Sequence, residues 1–413
     1  MTQITLCEGD NRDHLRRLID EGVRVHSVVT DPPYGISFMG KTWDGTQIER
    51  NPEFWKLILE ILLPGGYCFA FSGSRTGHWQ ACAMEMAGFV MHPMHGWVFG
   101  SGFPKAHNAA MAIDKARGAS HRAKSFNMKG KTDPKRSVEF AENGREIMPP
   151  WEAISPEAAQ WEGWAYGTQT QKPALEPIYL GQKPFSEKTG AANLLKHGVG
   201  AVNIDACRVP AEKIVGWGGA RGGSDDPTQS KGRNYRLGEG EARPAEGRHP
   251  ANLILDGSPE VVALFPDSKG QQGAVKGDEP SRTGDDNTHC YGKFNGRAPA
   301  PVRGDSGSAA RFFHQFGPDT DPLIYHGKAN KHDRAGSKHP TVKPVALMAY
   351  LVRHITPPGG VVLDPFAGSG TTGEAARREG FDCILMEQEP EHIEFLKQRF
   401  ALEDEDELEA LLA

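Results

Sequence analysis

Long apolar runs are missing from this sequence, and no stretch is long enough to cross a membrane. Met1 to Gly9 also lacks the basic, then apolar pattern of a secretory leader, so the expected location is the cytoplasm of a bacterial or phage-infected cell. Cysteine is scarce. Six of 413 residues are cysteine (Cys7, Cys68, Cys82, Cys207, Cys290, Cys383), scattered without the paired spacing of a zinc site. They read as reduced thiols, with Cys7, Cys68 and Cys383 in apolar runs and expected in the core, and no metal site is expected. An excess of positive charge is absent too. The formal charge of −6 excludes a chain that is basic throughout, so any nucleic acid must be met by a local basic surface. No repeat of fixed period is present.

What is present begins with Asp31-Pro32-Pro33-Tyr34-Gly35. The apolar run before it, residues 25–30, reads as a buried parallel strand. Two prolines stop the strand, remove two backbone donors and hold Asp31 extended. The corner offers one carboxylate, free carbonyls and an aromatic face, which suits a flat ring bearing an amine. Around it strands and helices alternate. Strands are predicted near 4–8, 67–71, 176–180, 252–255, 361–363 and 383–386, with an interrupted one over 89–99. Helices are predicted near 11–19, 75–87, 108–115, 191–196, 261–265, 345–355 and 390–400. Another, over 54–63, is expected to stop at Pro64-Gly65-Gly66. This alternation predicts an α/β fold with a parallel sheet covered on both faces.

A second concentration of chemistry is Asp364-Pro365-Phe366-Ala367-Gly368-Ser369-Gly370-Thr371-Thr372, which follows a strand and opens a helix. Gly368, Gly370 and Gly373 fit the dinucleotide G-x-G-x-x-G spacing, so NAD competes here with adenosylmethionine, whose cationic amine Asp364 could hold. Glu387 ends the next strand, where an acid accepts ribose hydroxyls of either cofactor. The Asp31 corner separates the two, because hydride transfer does not need it. A Walker loop is excluded because no lysine follows the glycines.

The Asp31 corner resembles motif IV of the amino-methylating DNA methyltransferases, and the glycine loop resembles their motif I. The order of the parts, base-gripping motif first and cofactor loop last, resembles the β class. The resemblance covers about the first hundred and the last eighty residues in motif terms. It implies a Rossmann-like fold, S-adenosyl-L-methionine as cofactor, and double-stranded DNA as substrate. Catalytic roles are implied for Asp31, Pro32, Pro33 and Tyr34. Cofactor contacts are implied for Asp10, Thr341, Lys343, Asp364, Phe366, Gly368, Gly370, Thr371, Thr372 and Glu387. Asp10 also reads as a helix cap, and Asn11 stands where family members often carry cysteine. Aspartate in the first motif position implies adenine N6 as target, ahead of cytosine N4, with a protein-glutamine or RNA methyltransferase as a further reading. No stretch reads as a nuclease domain, so a solitary modification enzyme is implied.

Between these parts the sequence changes character. Arg117, His121, Arg122, Lys124, Lys129, Lys131, Lys135 and Arg136 form a basic stretch suited to phosphate contacts. Trp151, Trp161, Trp164 and Tyr166 are expected to anchor a small subdomain. Residues 216–249 and 269–308 are too polar and glycine-rich to form a core. The expected division is 1–115 and 337–402 as two halves of one methyltransferase domain, with 116–336 as a target-recognition insertion with flexible loops. An acidic tail, 403–413, is expected to be a solvated helix end or a homodimer contact.

Overall fold

Residues 2–36, 45–100, 102, 104–118, 152–211, 214–215, 244–245, 247–269, 306–316, 331–337 and 342–402 are described by a computed structural model of the chain. The basic stretch beyond Arg117, Trp151, Thr341, Cys290, most of both glycine-rich segments and the acidic tail lie outside them.

Two compact units emerge. The larger takes residues up to Ser101 and from Ala174 onward, and the smaller is Gly102–Pro173. In the larger unit β1 (Ile4–Glu8), α1 (Asn11–Asp20), β2 (Val25–Thr30), α2 (Pro52–Ile61), β3 (Leu62–Phe71), α3 (Gly77–Ala87), β4 (Val90–Met91) and β5 (His95–Val98) follow one another. The smaller unit holds β6 (Lys105–Asn108), α4 (Ala109–Ala116), α5 (Pro156–Ala159) and β7 (Ala165–Gln169). The larger unit resumes with β8 (Leu175–Gln182), α6 (Gly190–His197), β9 (Ile214–Val215), β10 (Pro244–Ala245), β11 (Leu253–Leu255), α7 (Pro259–Val262), β12 (Asp267–Lys269), β13 (Ser306–Ser308) and β14 (His314–Gln315). It closes with α8 (Lys331–Arg334), α9 (Val345–Ile355), β15 (Val361–Asp364), α10 (Thr371–Glu379), β16 (Asp382–Glu387) and α11 (Pro390–Phe400).

The main sheet runs β1-β16-β15-β2-β3-β8-β5-β11-β14, with β4 beside β8. Strands β1, β16, β15, β2 and β3 are parallel, and β8 is antiparallel to β3 and β5. One face is packed by Leu15 and Leu18 of α1, Phe54, Trp55 and Ile58 of α2, and Ala83 and Met84 of α3. The other is packed by α9, with Ala375, Ala376 and Leu396 from α10 and α11. This is the Rossmann-like, doubly covered α/β sheet expected of the methyltransferase class. Cys7, Cys68 and Cys383 are buried, as the apolar runs implied.

Order reverses between β15 and β2. From β15 the chain moves out through β16, while β2 moves the other way through β3. Ligands of open α/β sheets bind at such a reversal, beyond the carboxyl ends of the strands. Asp31, Asp364 and Glu387 all stand there, and Gly9-Asp10 follows β1 at the same edge.

Three expectations change. Pro64-Gly65-Gly66 does not stop α2, which ends at Ile61; these residues belong to β3 as a bulge between the Val25–Leu62 and Ser27–Tyr67 pairs. Gly65 has φ +91°, and a Cβ there would sit 2.5 Å from Asn193 Nδ2, so the bulge requires glycine. The stretch 116–336 also does not stand apart, because β8, β11 and β14 are strands of the main sheet. In the smaller unit, buried Asp114 accepts from Ile154 N, Ser155 N and Ser155 Oγ. Trp161, Trp164 and Tyr166 do not anchor it from inside: they are exposed, Trp164 at 63%, with Trp161 against Trp164 and Tyr166 against His107.

Candidate active site

The strand ends line one cavity of about 280 Å³. Of the residues singled out from sequence, Asp10, Asp31, Pro32, Pro33, Tyr34, Lys343, Asp364, Phe366, Gly368, Thr371, Thr372 and Glu387 line it. Gly370 does not appear in the lining. Its φ is +73°, and a Cβ would lie 2.5 Å from Leu396 Cδ2, so this glycine lets the loop pack on α11. Asn11, Trp97, Glu176 and Met348 also line the cavity.

On one side stands the glycine loop. Asp364 closes β15 buried, its Oδ1 accepting from Thr30 Oγ1 at 2.7 Å and Phe366 N at 3.1 Å, its Oδ2 from Thr372 Oγ1 at 2.5 Å. Burial pushes its carboxyl up to about 6 although all three bonds pull the other way. The Glu387 carboxylate ties the loop to β16. It accepts from Gly368 N at 2.7 Å and from Gln388 N and Glu389 N at 3.0 and 2.9 Å. A carboxylate has roughly four lone-pair positions, so one remains for a ligand hydroxyl. Asp10 caps α1 through Arg12 N and pairs with the Arg12 side chain, which holds its carboxyl below the usual range. Asn11 Nδ2 donates to Pro365 O at 2.9 Å and so pins α1 to the loop. Phe366 packs on Phe54 with centroids 5.3 Å apart.

On the other side stands the Asp31 corner. Asp31 Oδ1 accepts from the Tyr34 hydroxyl at 2.8 Å, and Oδ2 from Lys343 Nζ at 2.6 Å. Lys343 Nζ is also 3.1 Å from the Tyr34 hydroxyl and 3.4 Å from Glu176 Oε2. The Lys343 side chain is 7% exposed, with its ammonium over the rings of Phe71 and Tyr34. Burial alone would lower the Lys343 pKa, but Asp31 and Glu176 outweigh it and the net direction is up. Burial first, then the two carboxylates, raises the Tyr34 phenol. The backbone of the corner is held by Thr76 Oγ1 donating to Tyr34 O at 2.6 Å. Gly35 has φ +62°, and a Cβ there would lie 2.2 Å from buried Glu49 Oε1.

Glu176 was missed by sequence reasoning. Its strand was foreseen, but no local signal marked the residue. Antiparallel pairing of β8 brings the start of that strand to the edge where the parallel strands end.

A family model described as an N6/N4 DNA methylase matches residues 25–398. The chain belongs to this family of amino-methylating DNA methylases. Similar proteins include the type II methyltransferase M2.DpnII of Streptococcus pneumoniae, 39% identical over 75 residues, which are 18% of this chain and 28% of that one. M2.LlaDCHI of Lactococcus lactis subsp. cremoris is 38% identical over 69 residues, 17% of this chain and 26% of the relative. The matched segments thus span about a quarter of these curated relatives' length. Among solved structures, the M1.HpyAVI–SAM complex superposes with a TM-score of 0.40 at 14% identity, covering 96% of this chain and 99% of that one.

The family uses S-adenosyl-L-methionine. The donor set here fits that cation. Asp10, Asp364 and Glu387 line the loop side, and the two lining cations, Arg12 and Lys343, are each paired with a carboxylate. Such an acidic lining suits a sulfonium nucleoside with a cationic amine and disfavours the pyrophosphate of a dinucleotide. Among the described residues no cluster could hold a metal ion, and no helix is long and apolar enough to cross a membrane.

Proposed function

We propose that this chain methylates the exocyclic N6 of adenine within a short sequence of double-stranded DNA. The observation that carries the reading is the single cavity shared by the glycine loop and the Asp31 corner. The choice of adenine over cytosine N4 rests on aspartate at the first position of the corner, as the family resemblance implies.

The target amine lies inside the duplex, so the base must be extruded to enter the cavity. Tyr34 supplies an aromatic face for it. An Asp31 oxygen and the Pro32 carbonyl accept from the amine, drawing its lone pair out of conjugation. Asp364 holds the cofactor's cationic amine, and the remaining position on Glu387 accepts a ribose hydroxyl. Bound there, the cofactor supplies an electrophilic methyl group. Attack is a direct in-line displacement, so the buried cysteines have no part in it. Positioning and fixed charges supply most of the rate.

The test is expression in a methylation-deficient bacterium, followed by sequencing that reads modified bases. N6-methyladenine in one short motif is the expected result. N4-methylcytosine would replace the base assignment. No new mark from a chain that binds the cofactor would move the substrate to RNA or protein.

A further inference from the structure

Resting on the amino-methylation reading, we propose that Glu176 is a positioning residue of the transfer site: it takes the Lys343 ammonium when the target amine claims the Asp31 oxygen that Lys343 occupies. Both Asp31 oxygens already have partners, Tyr34 on Oδ1 and Lys343 on Oδ2. The amine therefore has to displace one of them or share its oxygen. Lys343 has little water to retreat to once the base fills the cavity, because its side chain is only 7% exposed and its ammonium lies over the rings of Phe71 and Tyr34. A buried ammonium released without a partner would oppose entry of the base.

Glu176 Oε2 already waits 3.4 Å from Nζ and 3.4 Å from the Tyr34 hydroxyl. A charge-assisted contact prefers 2.7–2.9 Å, so a shift of about 0.5 Å completes the exchange. The backbone that carries this carboxylate is fixed on both sides. Glu176 pairs across strands with Trp97, and Ser72 N donates to Pro177 O on the β3 side. Two carboxylates flanking one ammonium let the cation pass from one to the other without ever being unpaired. The same step leaves Asp31 as a free acceptor when the amine needs it.

The test is single-turnover methyl transfer by wild type, Glu176→Gln, Lys343→Met and the double variant. Glutamine keeps the shape and an acceptor oxygen but loses the charge that holds an ammonium. For Glu176→Gln the expected result is a transfer rate down at least tenfold, with KM for cofactor and DNA within about threefold and an unchanged Tm. With no ammonium to relocate, adding Glu176→Gln to Lys343→Met should cost less than about threefold more. Equal losses in both backgrounds, a wild-type rate in Glu176→Gln, or a lowered Tm that accounts for its loss would each overturn the proposal. No transfer by the wild-type chain would instead fail the underlying reading, and this inference with it.

Discussion

Asp364 is under opposing demands at the scale of one carboxyl. Burial raises it to about 6, while Thr30, Thr372 and Phe366 N each stabilise its anion. If it holds the cofactor's amine, binding favours the anion and must expel a proton from the fraction still protonated. Cofactor affinity should then fall about tenfold between pH 7 and pH 5, with proton release on binding near pH 6. Calorimetry in two buffers of different ionisation enthalpy checks both, and Asp364→Asn should flatten the profile. Asp31→Ala should act differently. Methyl transfer should fall by at least about a thousandfold, because the acceptor for the amine is gone, while cofactor affinity stays within a few-fold. Equilibrium binding beside a transfer assay separates the two, and joint loss would argue against the division of labour. Asp31, Tyr34, Asp364 and Glu387 were legible because each sits in or beside a turn whose residues repeat a known pattern. Glu176 and the Asn11–Pro365 contact were not, because they depend on which strands become neighbours.

Elements were easier to read in kind than in their ends. The helix at Pro390–Phe400 and the strands at Ile4–Glu8 and Val25–Thr30 match their expected spans, since apolar spacing and a proline or glycine mark them. Pro64-Gly65-Gly66 misled because its local chemistry, a helix stop, was overridden by pairing with β2 and by the Asn193 side chain, which donates to Pro64 O and Val199 O. The glycine loop makes the corresponding prediction. Gly370 and Gly380 both have positive φ, +73° and +82°. At Gly380 a Cβ meets nothing within 4 Å, so alanine there should cost only the backbone term, about 1 kcal/mol. At Gly370 the same Cβ drives into Leu396 and Phe400, so alanine should cost about 2–4 kcal/mol. It should also weaken cofactor binding by shifting the loop. Chemical denaturation of the two variants decides this, and equal losses would mean that α11 yields.

Across the whole molecule, the larger unit is closed by pieces from far apart in the chain. β1 pairs with β16, Ile4 opposite Cys383, and β15 inserts beside β2. That closure was implied by the order of the motifs; the membership of β11 and β14 in the same sheet was not, because strands of two or three residues carry too little pattern. Behind the sheet these pieces meet in a cluster of rings, all buried except the half-buried His314. His95 of β5 packs on Phe69 and His354, His354 on Tyr350, and Tyr350 on His314 of β14. Burial lowers all three histidines, His95 and His354 to about 4, while His314 Nε2 lies 2.8 Å from Cys207 O. An unfolded histidine takes up a proton near pH 6.5. Between about 6.5 and 4 the unfolded chain therefore binds protons that the folded chain refuses, and stability falls as pH falls. Each fully shifted ring is worth about 3 kcal/mol, and mutual repulsion of His95 and His354 makes the pair less than additive. Asp364 works the other way: raised in the fold, it favours the folded state in acid and loses that contribution as pH rises through about 6. Two strongly shifted histidines and a third weaker one outweigh one carboxyl. The ligand-free protein should lose stability from pH 7 to pH 5, and His354→Phe should reduce that slope. Denaturant midpoints at the two pH values measure it, and a variant slope equal to wild type would remove His354 from the account.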